Sequence, residues 1–353
     1  MPWGYLVSTV FMGVWVLAVM AVRRPPRPLT TAFFYLGFVN ELPFLAAYWL
    51  IGSTALAGAQ GDLNTTIGWL AFAISLVTLG GLTVLAVRAL PTGRVIRQAL
   101  AEQSGPLPAH PRIRVSVLPT LLWPFLRRRF DVRRTPNLRY GDAELNTLDL
   151  YRHRARGSSR PVFVHLHGGG FVGGRKNQES LPLIYHLARS GWLCISANYR
   201  LSPAASRLDQ LDDVRKIINW VHGEAHRYGG DPETIVLAGG SAGAYLAARA
   251  TLTSPEPAIK AVVMLYAGYG DLATTTVPPD TPPFLIIHGT HDVLIPVEQA
   301  RRFAAHLRTR SPNPVVYAEL PDAGHTFDIY HSLRSRAVTE GTRAFLGKVL
   351  TTR

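Results

Sequence analysis

The sequence predicts an α/β domain with a mostly parallel sheet flanked by helices, preceded by a bundle of three transmembrane helices. Two observations lead to this prediction. Three long apolar stretches fill the first 90 residues, and apolar runs alternate with amphipathic segments from about residue 138 onward. We therefore divide the 353 residues into a membrane region (1–90), a linker (91–137) and an α/β domain (138–353).

Each apolar stretch is long enough to cross a bilayer, which takes about 20 residues. The stretches are residues 3–22, 29–52 and 65–87. The first could be mistaken for a signal peptide, but no Lys or Arg precedes it and "RRPPR" follows it, so we interpret it as an uncleaved anchor. A buried core helix could explain one such stretch, but it explains three in succession poorly.

The arginines predict an orientation for these spans. They cluster at positions 23–27 and 88–97, whereas the loop between the second and third spans contains no Lys or Arg. Because positive residues remain on the cytoplasmic side, the N-terminus is predicted outside and the α/β domain in the cytoplasm. A bacterial inner membrane is the expected location.

The second span carries Asn40, Glu41 and Pro43 near its middle. A carboxyl inside a membrane is costly, and such a group is a candidate functional site. The simpler alternative, which we favour, is a kinked helix whose Glu41 is protonated or pairs with a neighbouring span.

The net charge of +14 raises the question of a nucleic-acid partner. The arginines lie beside apolar segments, however, where anionic lipid headgroups supply the counter-charge. No nucleic-acid-binding module is evident, so membrane lipids are the expected partners. The linker mixes aromatic and arginine residues, so we expect it on the cytoplasmic membrane surface, where it could also form one wall of the entrance to a site.

A candidate nucleophile lies in "VLAGGSAGAYLAA" (236–248). Ser241 fits the pattern G-x-S-x-G, with an apolar strand before it and an alanine-rich helical segment after it. This setting is typical of a nucleophile elbow, a tight turn that exposes the serine. The pentapeptide alone is weak evidence, because turns of Gly, Ser and Ala are common.

A second motif strengthens this reading. His167 and the three glycines after it follow the apolar run "PVFVHL". Such a glycine run exposes backbone N–H groups that can stabilise an oxyanion, together with the N–H of Ala242 after the serine. A phosphate-binding loop is the competing interpretation, but neither G-K-[ST] nor G-x-G-x-x-G is present here.

The acid and the base are predicted in loops that follow strands. Asp292 follows "FLIIHG", and His325 follows "VVYAELP". Asp271 is the rival acid, but the chain order and the position at a strand end favour Asp292. In this scheme Asp292 orients His325, which takes the proton of Ser241, and no metal or organic cofactor is needed.

The α/β domain resembles the hormone-sensitive-lipase-like carboxylesterases of the α/β-hydrolase superfamily. The resemblance rests on "HLHGGGFVGG", "YRLSP", "YGGDPETIVLAGGSAGAYLA", "HGTHDVLIP" and "YAELPDAGHTFDIYHS". With three spans in front, the chain is similar to the membrane-anchored bacterial carboxylesterases and lipases. The resemblance implies an α/β-hydrolase fold, the triad just given, and oxyanion donors at Gly169 and Gly170.

Two departures from the family pattern are evident. Many relatives have an acidic residue before the serine, where this chain has Gly240. Only about 15 residues (270–284) separate two consecutive strands where a lid could lie, so a cap would have to come from residues 91–137 or from the membrane.

The expected function is hydrolysis of short- to medium-acyl esters, with small-molecule or lipid esters as substrates. Acyl transfer or amide and peptide hydrolysis by the same triad is the first alternative, because specificity depends on pocket shape. A non-catalytic membrane scaffold is the second, although no element of the catalytic pattern is missing.

Overall fold

The computed structural model describes residues 3–104, 118–125, 128–155 and 157–351. Its N-terminal part is helical. The linker residues 105–117 and 126–127 lie outside the described residues. The N-terminal helices are α1 (Trp3–Ala21), α2 (Thr30–Leu36), α3 (Phe38–Glu41), α4 (Pro43–Ala59) and α5 (Thr66–Ala89).

Two helical stretches are long and apolar enough to cross a membrane, Trp3–Ala21 and Thr66–Gln103. A third exists if Arg27–Glu41 and Pro43–Ala59 count together, although they are bent by 80°. Large apolar side chains such as Phe11 and Val77 are exposed on these helices. Inside the bundle, the Tyr5 hydroxyl hydrogen-bonds with Thr54 Oγ1 (2.9 Å) and Ser75 Oγ (3.1 Å), a packing typical of membrane helices.

The second predicted span, expected as one kinked helix, is broken into separate helices that are bent by 80°. Leu42 has non-helical backbone angles (φ −128°, ψ 54°), and Pro43 starts a new helix because it cannot donate a backbone hydrogen bond to the preceding turn. The segment before this break, α2 and α3, packs against the α/β domain. Glu41 therefore contacts that domain rather than another span.

The α/β domain is built on an eight-stranded sheet in the order β1-β2-β4-β3-β5-β6-β7-β8. β1 and β2 pair antiparallel, β2 pairs antiparallel with β4, and all other pairs are parallel. The strands are β1 (Val132–Arg139), β2 (Thr147–His153), β3 (Arg160–Leu166), β4 (Leu193–Ala197), β5 (Gly230–Gly240), β6 (Ile259–Leu265), β7 (Phe284–Gly289) and β8 (Val315–Leu320).

The sequence predicts seven of these strands and misses β1. The strand "VRRTPNLR" lies at the sheet edge and buries only Val132 fully, so it has no apolar alternation to reveal it. Its pairing with β2 is irregular between Thr135 and Leu138, around Pro136, where a missing N–H is tolerated at an edge. The predicted boundary at residue 138 therefore cuts through a strand of the sheet.

Helices cover both faces of the sheet. Buried side chains of α9, α10 and α11 pack on one face, and those of α6, α8 and α12 on the other. The helices from α6 onward are α6 (Thr92–Ser104), α7 (Leu118–Leu122), α8 (Leu181–Arg189), α9 (Arg207–Glu224), α10 (Ser241–Thr253), α11 (Val297–Arg308) and α12 (Leu333–Thr351).

The position of α6 corrects, for residues 92–104, the expectation that the linker lies on the membrane surface. Ile96 and Leu100 are fully buried in the same core as α12. Helix α6 therefore belongs to the α/β domain, because its apolar face is covered by protein rather than by lipid headgroups. The only cysteine, Cys194, is a buried free thiol of this core, in β4.

Candidate active site

Ser241 lies at a sharp strand-to-helix turn. β5 ends at Gly240 and α10 begins at Ser241, whose φ of +50° is unusual for a residue with a side chain. A Cβ on Gly243 would lie 2.1 Å from the Leu166 carbonyl oxygen, so only glycine allows the helix to approach β3 this closely. The turn presents Ser241, which is partly exposed, at the edge of the sheet where the parallel strands end.

The glycine loop, residues 167–174, begins where β3 ends. The buried His167 ring donates from Nδ1 to the Gly168 carbonyl oxygen (2.6 Å) and stacks on Tyr199 with ring centroids 4.5 Å apart. Burial lowers the pKa of His167 to about 4, so the ring is neutral at physiological pH. His167 thus shapes the loop and is not a candidate base.

Three backbone N–H groups are candidates for the oxyanion site. Gly169 and Gly170 are exposed with φ of +117° and +61°, and their N–H groups donate no hydrogen bond to any described residue. Ala242 is the second residue of α10, where the N–H groups of a helix have no intrahelical acceptor. The helix dipole also favours negative charge at this end of α10.

Asp292 and His325 are in direct contact. His325 Nδ1 lies 2.6 Å from Asp292 Oδ2, and both side chains are almost fully buried. The other carboxylate oxygen, Oδ1, accepts the backbone N–H groups of Leu294 and Ile295, both at 2.9 Å. Asp292 is therefore held rigidly, with one oxygen left for the histidine.

A second histidine supports this carboxylate. His288 Nε2 lies 3.3 Å from Asp292 Oδ2 and 3.0 Å from the Ile295 carbonyl oxygen. Burial alone would raise the pKa of Asp292. Attraction to His325, the hydrogen bond with His325 and attraction to His288 together hold this pKa below its ordinary value. Burial lowers the pKa of His288, so at neutral pH this ring is an uncharged donor. Nothing in the sequence pattern around His288 predicts this supporting contact.

Tyr266 connects the acid–base pair to the elbow. The Tyr266 ring lies 4.8 Å from the His325 ring, centroid to centroid. The Tyr266 hydroxyl oxygen lies against the elbow, because a Cβ added to Gly240 would be only 2.6 Å from it. The Ser241 hydroxyl makes no hydrogen bond with the residues that the structure describes. The structure therefore brings Asp292 and His325 into direct contact, and Tyr266 lies against both the His325 ring and the elbow at Gly240.

The N-terminal helices cover the histidine, which the sequence did not predict. The Phe34 ring of α2 packs edge-on at 6.0 Å from the His325 ring, and the His325 side chain is only 3% exposed. Asn40 Nδ2 donates to the Asp322 carbonyl oxygen at 2.6 Å, and Arg23 pairs with the Asp322 carboxylate at 3.0 Å. The cap that we sought in residues 91–137 or in the membrane is formed here by α2.

Glu41 corrects our interpretation of the second span. Its carboxylate pairs with Arg334 Nη1 at 3.0 Å and accepts the Ser332 hydroxyl at 2.9 Å. Both partners belong to the α/β domain, so Glu41 fastens α3 to that domain. Among the described residues, its side-chain partners lie in this domain and not in a neighbouring span.

The rival acid lies elsewhere. Asp271 accepts the Tyr245 hydroxyl at 2.9 Å and pairs with Arg249 at 3.0 Å, and neither partner contacts the histidine. Within the described part of the chain, no three metal-ligating side chains converge.

Two family models match most of the α/β domain. A family model described as BD-FAE matches residues 148–271, and the prolyl oligopeptidase family matches residues 265–353. Together the two matches run from β2 to the end of the chain, through every strand that carries a candidate site residue.

Two curated relatives from Mycobacterium tuberculosis are similar to the chain. The probable carboxylic ester hydrolase LipM is 32% identical over 275 residues, which are 64% of this chain and 64% of LipM. Esterase LipC is 32% identical over 271 residues, covering 64% of this chain and 67% of LipC. The chain thus spans about two thirds of the length of each relative.

A solved structure shares the fold. Esterase B from Lactobacillus rhamnosis superposes with a TM-score of 0.53 at 19% identity, over 63% of this chain and 88% of that chain.

Proposed function

The chain belongs to the α/β-hydrolase superfamily, among its carboxylic ester hydrolases, and from that premise we propose that it is a membrane-anchored serine esterase or lipase. Its substrates are short- to medium-acyl esters. The observation that carries this proposal is the 2.6 Å contact between His325 Nδ1 and Asp292 Oδ2, at the sheet edge where the elbow presents Ser241.

In the proposed reaction, His325 takes the proton from Ser241 Oγ, which attacks the ester carbonyl carbon. The carbonyl oxygen becomes an oxyanion that accepts the N–H groups of Gly169, Gly170 and Ala242. His325 then gives its proton to the leaving alcohol, and an acyl-enzyme forms on Ser241. Water, deprotonated by His325, attacks this ester; the bond between the acyl carbon and Ser241 Oγ breaks, Oγ takes the proton back from His325, and the carboxylic acid is released.

Asp292 has an electrostatic role in this scheme. It stays ionised because its pKa lies below the ordinary value, and its charge stabilises the imidazolium that forms on His325. The 2.6 Å hydrogen bond also fixes the tautomer, with the proton on Nδ1 and the free lone pair on Nε2.

The membrane anchor is part of the proposal. Arg23 and Arg24, which follow α1, pair with Asp322 and Glu298 of the α/β domain, so the positive residues lie on the same side as that domain. The positive-inside rule then favours a cytoplasmic α/β domain, with the N-terminus outside. Tethering also concentrates the enzyme near esters that partition into the bilayer.

The test uses the full chain in detergent micelles, with nitrophenyl esters of two to twelve acyl carbons and a fluorophosphonate probe. We expect hydrolysis and labelling by the wild type and neither by Ser241→Ala. Ser254→Ala, at the other end of α10, is the matched control and should behave like the wild type. Full-rate hydrolysis by Ser241→Ala would refute the proposal.

Two outcomes would point to the alternatives. An acyl-enzyme that reacts faster with added alcohols or amines than with water would indicate an acyltransferase. A wild-type chain that the fluorophosphonate leaves unlabelled would indicate a non-catalytic scaffold.

A further inference from the structure

Glu179 is a carboxylic acid beside the nucleophile that the proposed mechanism does not use. It precedes α8, and its Oε2 accepts the backbone N–H of Gly168 at 2.6 Å. Gly168 is the first glycine of the glycine loop, directly before the candidate oxyanion donors. The carboxylate therefore anchors the base of that loop.

The carboxylate occupies space at the elbow that only glycines leave open. A Cβ on Gly168 would lie 2.8 Å from Glu179 Oε1 and 2.9 Å from Ser241 Cβ. A Cβ on Gly240, the residue before the serine, would lie 2.7 Å from Glu179 Oε2. One carboxyl group thus contacts both the loop of the oxyanion donors and the turn of the nucleophile.

Four titratable groups surround Glu179. Asp328 and His325 lie in the loop after β8, Tyr266 follows β6, and Tyr199 follows β4. Asp328 is itself held by the Tyr266 hydroxyl at 2.6 Å and by the Ser180 hydroxyl.

In these surroundings Glu179 titrates near neutral pH. Burial and the nearby Asp328 raise the pKa of Glu179 to about 7, against the opposing effects of the Gly168 N–H and His325. The carboxyl therefore gains or loses its proton within the working range of an esterase.

Resting on the proposed function, we propose that Glu179 is a positioning residue, whose ionised carboxylate fixes the glycine loop and the elbow for attack by Ser241. A hydrogen bond to an ionised acceptor is shorter and stronger than one to a neutral acceptor. The ionised form holds the Gly168 peptide, and with it the N–H groups of Gly169 and Gly170, more firmly. Its charge also favours the imidazolium of His325.

The test compares Glu179→Gln with the wild type over a pH series. Glutamine keeps the shape and a neutral acceptor for Gly168 but cannot ionise. We expect similar kcat values near about pH 5.5, where the glutamate is protonated, and a kcat about tenfold lower in the variant near about pH 8.5. The ratio of the two kcat values should change with a midpoint near pH 7.

Glu179→Ala removes the acceptor as well as the charge. We expect kcat to fall by about 10–100-fold at every pH, with KM little changed, because the loop loses its anchor rather than a substrate contact. The exposed Glu233, changed to alanine, is the control and should leave activity and its pH profile unchanged.

The rate of fluorophosphonate labelling is measured in parallel, since it does not depend on the natural ester. A wild type without labelling would count against the proposed function itself. If the wild type is labelled normally but the ratio of the wild-type kcat to the Glu179→Gln kcat is constant across pH, only the positioning role is overturned. If Glu179→Ala does not fold, the pH dependence of Glu179→Gln still decides the question.

Discussion

The buried ion pair between Glu41 and Arg334 provides a direct test of how the N-terminal helices are attached. Arg334 is fully buried, and its Nη1 donates to Glu41 Oε1 at 3.0 Å and to the Asn40 carbonyl oxygen at 2.9 Å. Its Nε and Nη2 have no partner among the described residues. We consider two single substitutions, Glu41→Leu and Arg334→Met, and their combination.

The two single variants should differ in their response to pH. Removing one partner of a buried ion pair costs about 3–5 kcal/mol in the free energy of unfolding. Glu41→Leu leaves a guanidinium that cannot release its proton, so the full cost applies at every pH. Arg334→Met leaves a carboxyl that can take up a proton. For an ordinary glutamate, this protonation costs about 3.7 kcal/mol at pH 7 but only about 1 kcal/mol at pH 5.

Thermal unfolding in detergent, followed by tryptophan fluorescence, measures these effects. At about 2–4 °C per kcal/mol for a domain of this size, Glu41→Leu should lower Tm by about 10 °C at both pH values. Arg334→Met should recover most of its loss at pH 5. The double variant should be more stable than either single variant, because an apolar pair can replace a buried ion pair at little net cost.

An exposed ion pair serves as the control. Arg227 pairs with Glu224 on the surface, so Arg227→Met should change Tm by no more than about 2 °C. Two results would contradict the role of this ion pair. The first is an equal decrease in Tm for Glu41→Leu and Arg334→Met at both pH values. The second is a decrease in Tm for the double variant that equals the sum of the two single decreases.

Three further predictions concern the site and its core. Asp292→Asn should lower kcat about 10⁴-fold with nitrophenyl butyrate, because His325 loses its anionic partner; a loss under tenfold would contradict this role. Gly169→Ala would place a Cβ 2.2 Å from the Gly173 carbonyl oxygen, so fluorophosphonate labelling should slow by about 10²-fold or more, whereas an unchanged rate would exclude this loop. Burial lowers the pKa of His165 to about 3, so wild-type stability falls as pH drops from about 6.5 toward 3. His165→Leu should remove that loss, and a Tm difference that does not widen between pH 7 and 4.5 would argue against it.

Much of the α/β domain could be predicted because its elements follow local patterns. Both faces of the central strands are covered, so each strand is a continuous apolar run, and glycine or a polar loop marks its end. The ends of parallel strands meet at one edge of the sheet. This geometry places the glycine loop, Ser241, Asp292 and His325 at the same edge without any knowledge of the tertiary contacts.

The residues that the sequence did not reveal depend on contacts between distant segments. Glu41 and Arg334 are 293 positions apart, and Glu41 lies in an apolar stretch that suggested a membrane interior. Glu179 lies in the polar segment "RKNQES", where nothing distinguishes it from a solvated side chain. Strand β1 was missed because an edge strand with three arginines and a proline has no apolar alternation.

The contacts of the loop between β8 and α12 connect the N-terminal helices to the candidate site. Asp322 and Thr326, on either side of His325, have φ of +51° and +57°, and such backbone strain persists only where surrounding contacts hold it. Several of those contacts come from the N-terminal helices, through Asn40 and Arg23 on Asp322 and Phe34 on the histidine ring. The orientation of the proposed base is thus set in part by residues that precede His325 by more than 280 positions. The N-terminal helices therefore form part of the site, in addition to any role as an anchor.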